Sequence, residues 1–320
     1  MNEWTGRATA TAPIDIQAAV EGALHDVVAY QGQGELPTYV PSLAQVDPRK
    51  LGMAVVLGDG SSFAAGDADE PFSIQSISSV FALSLALQHV GAVLWNHVGR
   101  EASGSPTNLI VQLELAKGKP RNPLINAGAL VVDDQLIGKR SADAAVEELL
   151  GFLRDRCGDD CVRVDDSVAL SESQGGSLNR SLAHFLAAFH NLTHPVEEVV
   201  SVYFRQCAIA MSCRQLAQAA LYLAFDGVDP RTGDQVIVPP RCRRILALMM
   251  TCGHYDNSGD FAFRIGLPGK SGVGGGILAI VPGIGAVAVW SPGLNSAGTS
   301  LAGSMALERL VERTGWSVFA

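Results

Sequence analysis

The segment from Ser76 to about Val98 is apolar along nearly its whole length, and this feature constrains the fold most strongly. Its apolar residues include Ile77, Val80, Phe81, Leu83, Leu85, Leu87, Val90, Val93 and Leu94. A helix that is apolar on almost every side has to be covered on every side, so the pattern predicts a helix in the core of a large domain. The chain has 320 residues, of which 48% are hydrophobic and 17% charged, and this is enough apolar material for such a core.

Short strands are predicted near both ends of the chain, in two hairpins. The first pairs Met53–Leu57 with Ser62–Ala65 across a Gly-Asp-Gly turn. The second pairs Ile277–Val281 with Ala286–Trp290 across a Pro-Gly-Ile-Gly turn. Strands at both ends of a chain, with helices between them, indicate an α+β fold rather than a parallel βαβ sheet.

Helical patterns of apolar residues account for much of the remaining chain. They occur at Ile14–Tyr30, Ala142–Leu153, Ser181–His190, Arg214–Ala224 and about Thr299–Arg313. We expect the terminal strands to pair into one antiparallel sheet that carries the first and last helices. One domain then covers residues 1–320, with a sheet lobe at about 14–70 and 255–315 and a helical lobe at about 71–254. The cleft between two such lobes is a common place for a small-molecule site.

Charge and composition exclude several classes of partner. The net charge of −9 disfavours nucleic acid and anionic lipid, and no stretch of about 18 apolar residues is expected to span a membrane. The first 17 residues lack the apolar segment of a secretory signal, so we expect the cysteines to be reduced thiols. Cys157 and Cys161 are four residues apart, but no second ligand pair accompanies them, and no metal is expected.

Two short motifs suggest nucleophilic catalysis. Ser76 stands where the buried helix begins, near free N–H groups and the positive end of the helix dipole, which favours a nucleophile and an oxyanion. Serine is equally a preferred helix N-cap. Lys270-Ser271-Gly272 has the form of the K-[ST]-G element of penicillin-recognising serine enzymes, although three residues alone identify nothing. The glycines that follow resemble a phosphate loop, but they lead into a predicted strand, which excludes a dinucleotide site.

Four further segments carry polar residues suited to ligand binding. Asn126 lies in a Pro- and Gly-containing loop and can both donate and accept hydrogen bonds. Glu172, with Asn179 seven residues later, can receive an ammonium group, although a solvated carboxylate near a helix start fits equally well. Tyr203 and Tyr255 combine an apolar ring with a polar tip, as site residues and ordinary core residues both do.

Taken together and in order, these segments resemble the glutaminase family shared by bacteria and animal mitochondria. The resemblance runs from about residue 14 to residue 311 and is strongest in FSIQSIS, NPLINAGA, YFRQCAI and CGHYDNSGDFAFRIGLPGKSGVGGGI. It implies the β-lactamase/transpeptidase-like α+β fold, hydrolysis of L-glutamine to L-glutamate and ammonia, and no metal or organic cofactor. For a bacterial member it further implies a cytoplasmic homo-oligomer, often a homotetramer.

The resemblance also assigns roles to residues at matching positions. It places the nucleophile at Ser76 and a further active-site tyrosine at Tyr39. Its substrate-binding positions are Asn126, Glu172, Asn179, Tyr203, Tyr255 and Val273. The expected chemistry is attack of Ser76 on the glutamine side-chain amide, an acyl-enzyme ester, and hydrolysis of that ester by water.

The chain departs from the family pattern at the residue that normally activates the nucleophile. The family motif is S-x-x-K, whereas Ser79 stands at the lysine position here, and Leu178 stands where arginine is usual. A serine hydroxyl is no base near neutral pH, and general-base assistance contributes roughly 10²–10⁴-fold to rate. Two hypotheses follow: a working glutaminase in which Tyr39, Tyr255 or Lys270 moves the proton, or a catalytically impaired homologue that binds glutamine or glutamate.

Overall fold

The computed structural model describes residues 14–103 and 110–320. The strands in this part of the chain are β1 (Gly52–Leu57), β2 (Ser62–Gly66), β3 (Phe72–Ser73), β4 (Arg163–Val164), β5 (Ile209–Met211), β6 (Gly269–Ser271), β7 (Gly276–Val281) and β8 (Gly285–Trp290). The helices are α1 (Ile16–Val27), α2 (Ser78–Val90), α3 (Leu94–His97), α4 (Ile110–Leu115), α5 (Asn126–Ile137), α6 (Ala142–Cys157), α7 (Asp166–Gly175), α8 (Ser177–Ala188), α9 (Val196–Cys207), α10 (Cys213–Ala219), α11 (Leu221–Ala224), α12 (Pro239–Cys252), α13 (Ser258–Arg264) and α14 (Leu301–Thr314).

Two hairpins from opposite ends of the chain pair into one five-stranded antiparallel sheet. The strand order is β2-β1-β8-β7-β6, so the N-terminal hairpin lies directly against the C-terminal one. In the β1–β8 pair, Met53 is opposite Val289 and Val55 is opposite Val287. Both predicted hairpins and the pairing between them are therefore confirmed. The short strand β6 adds to the far edge, where Lys270 lies opposite Leu278.

Both faces of the sheet are covered at its three inner strands, which explains why β1, β8 and β7 carry no charged side chain. Val55 and Val289 point to a core cluster shared with α1 and α14. Val56 and Leu278 point to the larger cluster shared with α2 and the other middle helices. All residues of β7 and β8 are buried. The expected placement of the first and last helices on the sheet is confirmed, whereas the limits of the two lobes stay a prediction.

The apolar segment after Ser76 is deeply buried, but the single predicted helix is wrong in detail. A 3₁₀ turn at Gln75–Ile77 precedes α2, which ends at Val90. The next residue, Gly91, has a φ of 59°, which favours glycine. The described segment Gln75–His97 is long and apolar enough to cross a membrane, contrary to the sequence expectation. However, 72% of its most apolar 18-residue stretch is buried inside the fold, as in the core helix of a globular protein.

Other helix predictions hold with shifted ends. α6 begins at Ala142 as expected and continues to Cys157, and α8 begins four residues before the predicted Ser181. The predicted helix Arg214–Ala224 consists of α10 and α11, which are separated at Ala220. Helix ends depend on capping and packing more than on periodicity, so these differences are of the usual kind.

A small three-stranded sheet that the sequence did not predict fixes the approach to Ser76. Its order is β3-β5-β4, with Phe72 opposite Met211 and Ser73 opposite Ala210. Strands of two or three residues are too short to show an alternating pattern, so periodicity could not find them. The Ile74 N–H donates to the Ile209 carbonyl at 2.9 Å, extending this pairing to the residue before the 3₁₀ turn.

Two adjacent aspartates in α5 differ completely in their surroundings. Asp134 accepts hydrogen bonds from the Thr193 N–H, the Thr193 hydroxyl and the His194 N–H, each at 2.9 Å. Asp133 is 0% exposed, and neither of its carboxyl oxygens has a hydrogen-bond partner among the described residues. Burial, reinforced by the Asp134 charge, raises the pKa of Asp133 well above its ordinary value.

We expect Asp133→Asn to stabilise the fold at neutral pH. A carboxyl whose pKa is raised on folding destabilises the native state increasingly as the pH rises from its unfolded pKa to its folded pKa. Asn removes this titration with little change of shape, so the free energy of unfolding should rise by at least about 1 kcal/mol near pH 7. The gain should shrink toward pH 4.

Urea unfolding at several pH values measures this difference. Asp134→Asn is the matched control, and it should destabilise the protein because it weakens a satisfied set of hydrogen bonds. Equal stability of Asp133→Asn and the parent protein at every pH would show that Asp133 carries no burial penalty.

Candidate active site

A cavity of about 540 Å³ brings together residues that are far apart in sequence. It is lined by Tyr39, Val40, Gln75, Ser76, Asn126, Glu172, Gly175, Gly176, Leu178, Asn179, Tyr203, Tyr255, Asp256, Val273, Ser296, Ala297 and Gly298. Every site residue proposed from the sequence is among them except Lys270. A larger, more open depression between α1 and α14 is lined by none of the proposed residues.

The backbone around Ser76 is held in an uncommon conformation. Gln75, immediately before it, has a φ of 50°, a left-handed value that costs a residue other than glycine about 1–3 kcal/mol. The Gln75 side-chain amide donates to Ser73 Oγ at 3.0 Å, and the Ser73 hydroxyl donates to the Cys207 carbonyl at 2.8 Å. These buried contacts tie the turn to the end of α9 and fix where Ser76 points.

Tyr255 is the residue whose side chain contacts the Ser76 hydroxyl. Its phenol donates to Ser76 Oγ at 3.2 Å. Tyr255 also has a left-handed backbone, with a φ of 54°, so uncommon backbone geometry occurs at Tyr255 and at the residue before Ser76. Burial raises the pKa of Tyr255, and the hydrogen bond to Ser76 opposes that rise.

Two backbone N–H groups at the site are available to a ligand. Neither the Ser76 N–H nor the Val273 N–H donates to another group within residues 14–103 and 110–320. The turn after β6 packs closely on the Ser76 turn, since a Cβ at Gly272 would lie 2.5 Å from the Ile74 carbonyl oxygen. Glycine at 272 therefore allows the two backbone segments to approach, as an oxyanion site requires.

Ser79 is directed away from the nucleophile position. It is 3% exposed, and its hydroxyl donates to the backbone carbonyl of Ser76 at 2.7 Å rather than to the Ser76 side chain. This is the ordinary behaviour of serine in the first turn of a helix. The structure therefore gives the Ser79 hydroxyl a local backbone acceptor and no hydrogen bond to Ser76 Oγ.

A second group of polar side chains faces the cavity beyond Ser76. The Asn126 side-chain amide donates to the Asn179 side-chain oxygen at 3.0 Å. Glu172 is 8% exposed, and its burial raises the pKa of its carboxyl, an effect opposed by a hydrogen bond from Gln75. Tyr203, 5% exposed, has its pKa raised well above the ordinary value by burial. A buried carboxylate beside neutral amide and phenol groups suits a ligand with both an ammonium and a carboxylate.

Lys270 lies behind the cavity wall instead of lining it. It is 0% exposed, its Nζ is 4.6 Å from the centre of the Tyr255 ring, and it donates to the Ser271 carbonyl at 2.5 Å. Burial lowers the pKa of Lys270 to about 7. The predicted strand position is confirmed by β6, and the ring of Tyr255 separates the amine from the cavity.

Sequence reasoning missed several residues of the cavity. Gln75 contributes through a positive φ that no sequence pattern reveals, although it directly precedes the proposed nucleophile. Asp256 and residues 296–298 belong to loops whose path depends on tertiary packing. Tyr39 is 63% exposed and Leu178 46% exposed, and both lie at the edge of the cavity.

Comparison with known proteins identifies the family. The family model for glutaminase matches residues 34–319. The chain belongs to the glutaminase family. It is 56% identical over 305 residues to the thermolabile glutaminase of Rhizobium etli, covering 95% of this chain and 99% of that protein. It is 54% identical over 305 residues to the glutaminase of a Methylobacterium species, with the same two coverages.

Solved structures of glutaminases share the fold. The probable glutaminase ybaS superposes with a TM-score of 0.87 at 35% identity, covering 94% of this chain and 98% of that one. The probable glutaminase from Bacillus subtilis, complexed with 6-diazo-5-oxo-L-norleucine, gives a TM-score of 0.83 at 33% identity, covering 95% and 96%. The family resemblance and the β-lactamase-like α+β fold expected from the sequence are thus confirmed, and this glutaminase is an amidohydrolase.

Proposed function

We propose that this glutaminase hydrolyses the side-chain amide of L-glutamine through an ester on Ser76, with Tyr255 accepting the hydroxyl proton. The observation that carries the proposal is the 3.2 Å contact between the Tyr255 hydroxyl and Ser76 Oγ, at a site where Ser79 offers no base. A general base has to lie within hydrogen-bond reach of the proton that it removes. Tyr255 meets this requirement.

The reaction proceeds in two halves. Ser76 Oγ attacks the amide carbon while its proton passes to Tyr255, and the resulting oxyanion accepts hydrogen bonds from the Ser76 and Val273 N–H groups. Tyr255 then returns the proton to the amide nitrogen, the C–N bond breaks, and ammonia leaves. Water attacks the ester by the same route, and glutamate is released with Ser76 restored.

Recognition of the amino-acid end is assigned to the second group of polar residues. Glu172 binds the α-ammonium, because it is the buried carboxylate of the cavity. Asn126, Asn179 and Tyr203 hold the α-carboxylate through neutral donors. Tyr39 closes the mouth of the cavity over the bound substrate. The complex of the Bacillus subtilis relative with 6-diazo-5-oxo-L-norleucine, an analogue of glutamine, supports this choice of ligand.

The second candidate function is binding of glutamine or glutamate without turnover. It is favoured by the contact of Ser79 with the Ser76 carbonyl, which leaves the position of the usual lysine without an amine. The two candidates differ in one measurable product, because only the enzyme releases ammonia from L-glutamine. Purified protein assayed for ammonia, with Ser76→Ala as the blank, therefore distinguishes them.

The nucleophile can be identified by covalent labelling. We expect 6-diazo-5-oxo-L-norleucine, an electrophilic ketone of the same length as glutamine, to modify Ser76. Peptide mapping by mass spectrometry should place the adduct on the Ser76 peptide and find none in Ser76→Ala. Modification of another residue, with Ser76 unlabelled, would contradict its role as nucleophile.

Replacement of Glu172 by Gln tests the ammonium site. We expect Glu172→Gln to weaken glutamate binding by about 10-fold or more, since a charge-assisted hydrogen bond contributes roughly 1.5–3 kcal/mol. Because the pKa of Glu172 is raised, the parent protein should bind more tightly as the pH rises through that raised value, and the variant should not. Isothermal calorimetry at several pH values measures both effects.

Leu178→Ala is the control for this experiment. Leu178 lines the same cavity but carries no charge, so its variant should keep the pH dependence of the parent. Unchanged affinity in Glu172→Gln would remove Glu172 from the site.

Restoring the missing amine tests the consequence of Ser79. We expect Ser79→Lys to raise kcat/KM by at least about tenfold, a fraction of what a well-placed base contributes. One helical turn separates positions 76 and 79, so the new amine lies on the same face as Ser76. Ser79→Met is the matched control, because it adds a side chain of similar length without the amine.

Two outcomes are informative. Equal activity of the Lys and Met variants would show that the space around position 79 no longer accommodates a base. A parent protein that already turns over at about 1–10³ per second, with no gain from lysine, would show that another group fully replaces it.

Assembly and location also stay predictions. We propose a cytoplasmic homotetramer, following the bacterial members of the family that the chain resembles. Multi-angle light scattering of the purified protein should give four times the chain mass of 33.6 kDa. A monomeric mass would contradict the proposal without affecting the chemistry at Ser76.

A further inference from the structure

Tyr255 can accept the Ser76 proton only if its own phenol first loses a proton. Burial works against this ionisation and raises the pKa of Tyr255. The site therefore needs a positive group near the ring if the phenolate is to form near neutral pH. The proposed function depends on such a group, and none of the residues that line the cavity is a lysine, arginine or histidine.

Lys270 is placed to supply that charge. Its Nζ is 4.6 Å from the centre of the Tyr255 ring, within the distance at which a cation is attracted to an aromatic face. It is 0% exposed, and within the described residues its one hydrogen-bond acceptor is the Ser271 carbonyl. It forms no salt bridge with any described carboxylate. When the amine is protonated, its charge is therefore left to act on the ring.

The sheet holds Lys270 in this position. β6 pairs with β7 so that Lys270 lies opposite Leu278, and the Ser271 N–H donates to the Gly253 carbonyl at 3.1 Å. This last bond joins β6 to the segment that precedes Tyr255. The lysine and the tyrosine are thus fixed relative to each other by backbone contacts.

We propose that Lys270 is a positioning residue whose amine, stacked on the Tyr255 ring, sets the ionisation of Tyr255 and so enables it to take the Ser76 proton. This inference rests on the proposed function, because it concerns how the base of that reaction is formed. An amine above the ring face is not in line with the phenol O–H, so its action is electrostatic. Lys270 does not itself touch the substrate.

The other titratable groups near the pair supply no positive charge at neutral pH. Burial raises the pKa of the Cys207 thiol, at the end of α9, and that of Tyr203 well above their ordinary values. Burial and the Lys270 charge lower the pKa of His254, beside Tyr255 in the chain, well below its ordinary value. All three are uncharged near pH 7.

Two carboxylates also border the cavity. Glu172 on α7 is held by Gln75, and Asp256 accepts a hydrogen bond from the Ser103 hydroxyl at 3.2 Å. A negative charge on either carboxylate disfavours ionisation of the Tyr255 phenol. Tyr39, across the cavity, adds no positive charge. Lys270 is the cation that contacts the Tyr255 ring in the described structure.

The Tyr255–Lys270 pair loses one proton to solvent as the pH rises toward the range in which the enzyme is active. At low pH it holds a phenol and an ammonium, and Tyr255 cannot act as a base. After loss of one proton, either the phenol or the amine is protonated, and the phenolate–ammonium form accepts the proton of Ser76. Because burial lowers the pKa of Lys270 to about 7, this step falls near neutrality. Activity should therefore rise as the pH increases through about 7.

The test compares kcat and KM across pH in Lys270→Met and Lys270→Arg. We expect Lys270→Met, which keeps the length and removes the charge, to lower kcat by at least about tenfold at pH 7 and to move the acid limb of the profile to higher pH. KM should change little, because Lys270 lies outside the cavity. Lys270→Arg keeps a cation on the ring and should retain more activity than the methionine variant.

Lys119→Met is the matched control. Lys119 also donates to a backbone carbonyl, that of Trp95 at 2.7 Å, but it does not line the cavity. Its variant should keep the parent pH profile. A change of the same kind in both methionine variants would indicate a general loss of fold and would overturn the specific role of Lys270.

A measurement that needs no turnover separates this inference from the proposed function. The near-ultraviolet absorbance of the phenolate, taken as the difference between the parent and Tyr255→Phe, reports the ionisation of Tyr255 alone. We expect Lys270→Met to move that transition to higher pH. The shift without any ammonia release would sustain the inference and reject the proposed function. Ammonia release with unchanged transition and pH profile in Lys270→Met would overturn the inference.

A double variant provides a further check. If Ser79→Lys restores a base next to Ser76, Lys270→Met should lower kcat less in the Ser79→Lys protein than in the parent, because Tyr255 no longer has to ionise. Nonadditivity of this kind is the expected sign that two residues serve the same step. An equal fall in kcat in both backgrounds would contradict the proposal that Lys270 acts on the transfer of the Ser76 proton.

Discussion

The antiparallel pairing of β1 with β8 is the contact on which the rest of the structure depends. It joins strands more than 200 residues apart in the chain and merges two hairpins into one sheet. A single hairpin is marginally stable by itself, whereas five strands with both faces covered form a core. Because both ends of the helical middle segment lead into this sheet, the helices pack over one of its faces, with α2 against the sheet. Everything in the cavity is positioned relative to that sheet.

The active site combines this rigid support with local strain and unfavourable burial. Gln75 and Tyr255 both have left-handed backbones, and Lys270 is a buried amine that forms no ion pair in the described structure. Such features destabilise a fold and persist only where the surroundings enforce them. Here the surroundings are the small sheet before Ser76 and the β6–β7 pair. Groups with altered proton affinity are thus placed next to the proposed nucleophile at a cost that the large apolar core offsets.

Ser79 changes the chemistry of the site without disturbing its shape. The serine fits into the first turn of α2 with an ordinary hydrogen bond to the Ser76 carbonyl, and the fold matches those of relatives at TM-scores above 0.8. Fold and cavity therefore do not require a lysine at this position. What depends on it is the route of one proton, and the Tyr255–Lys270 pair is the alternative that the structure offers.

The sequence alone determined the fold class, both main hairpins, their pairing and the family, since these follow from apolar strands joined by glycine-containing turns, a continuous apolar segment and long local motifs. It also indicated part of the cavity lining, because the motifs carry those residues in order. It could not determine that Ser79 turns to a carbonyl, that Gln75 adopts a positive φ, or that Asp133 lies unpaired in the core. Only the tertiary structure decided that Lys270 lies behind the Tyr255 ring instead of facing the cavity. Such facts depend on which distant segments pack together, and packing directions are not encoded in local periodicity.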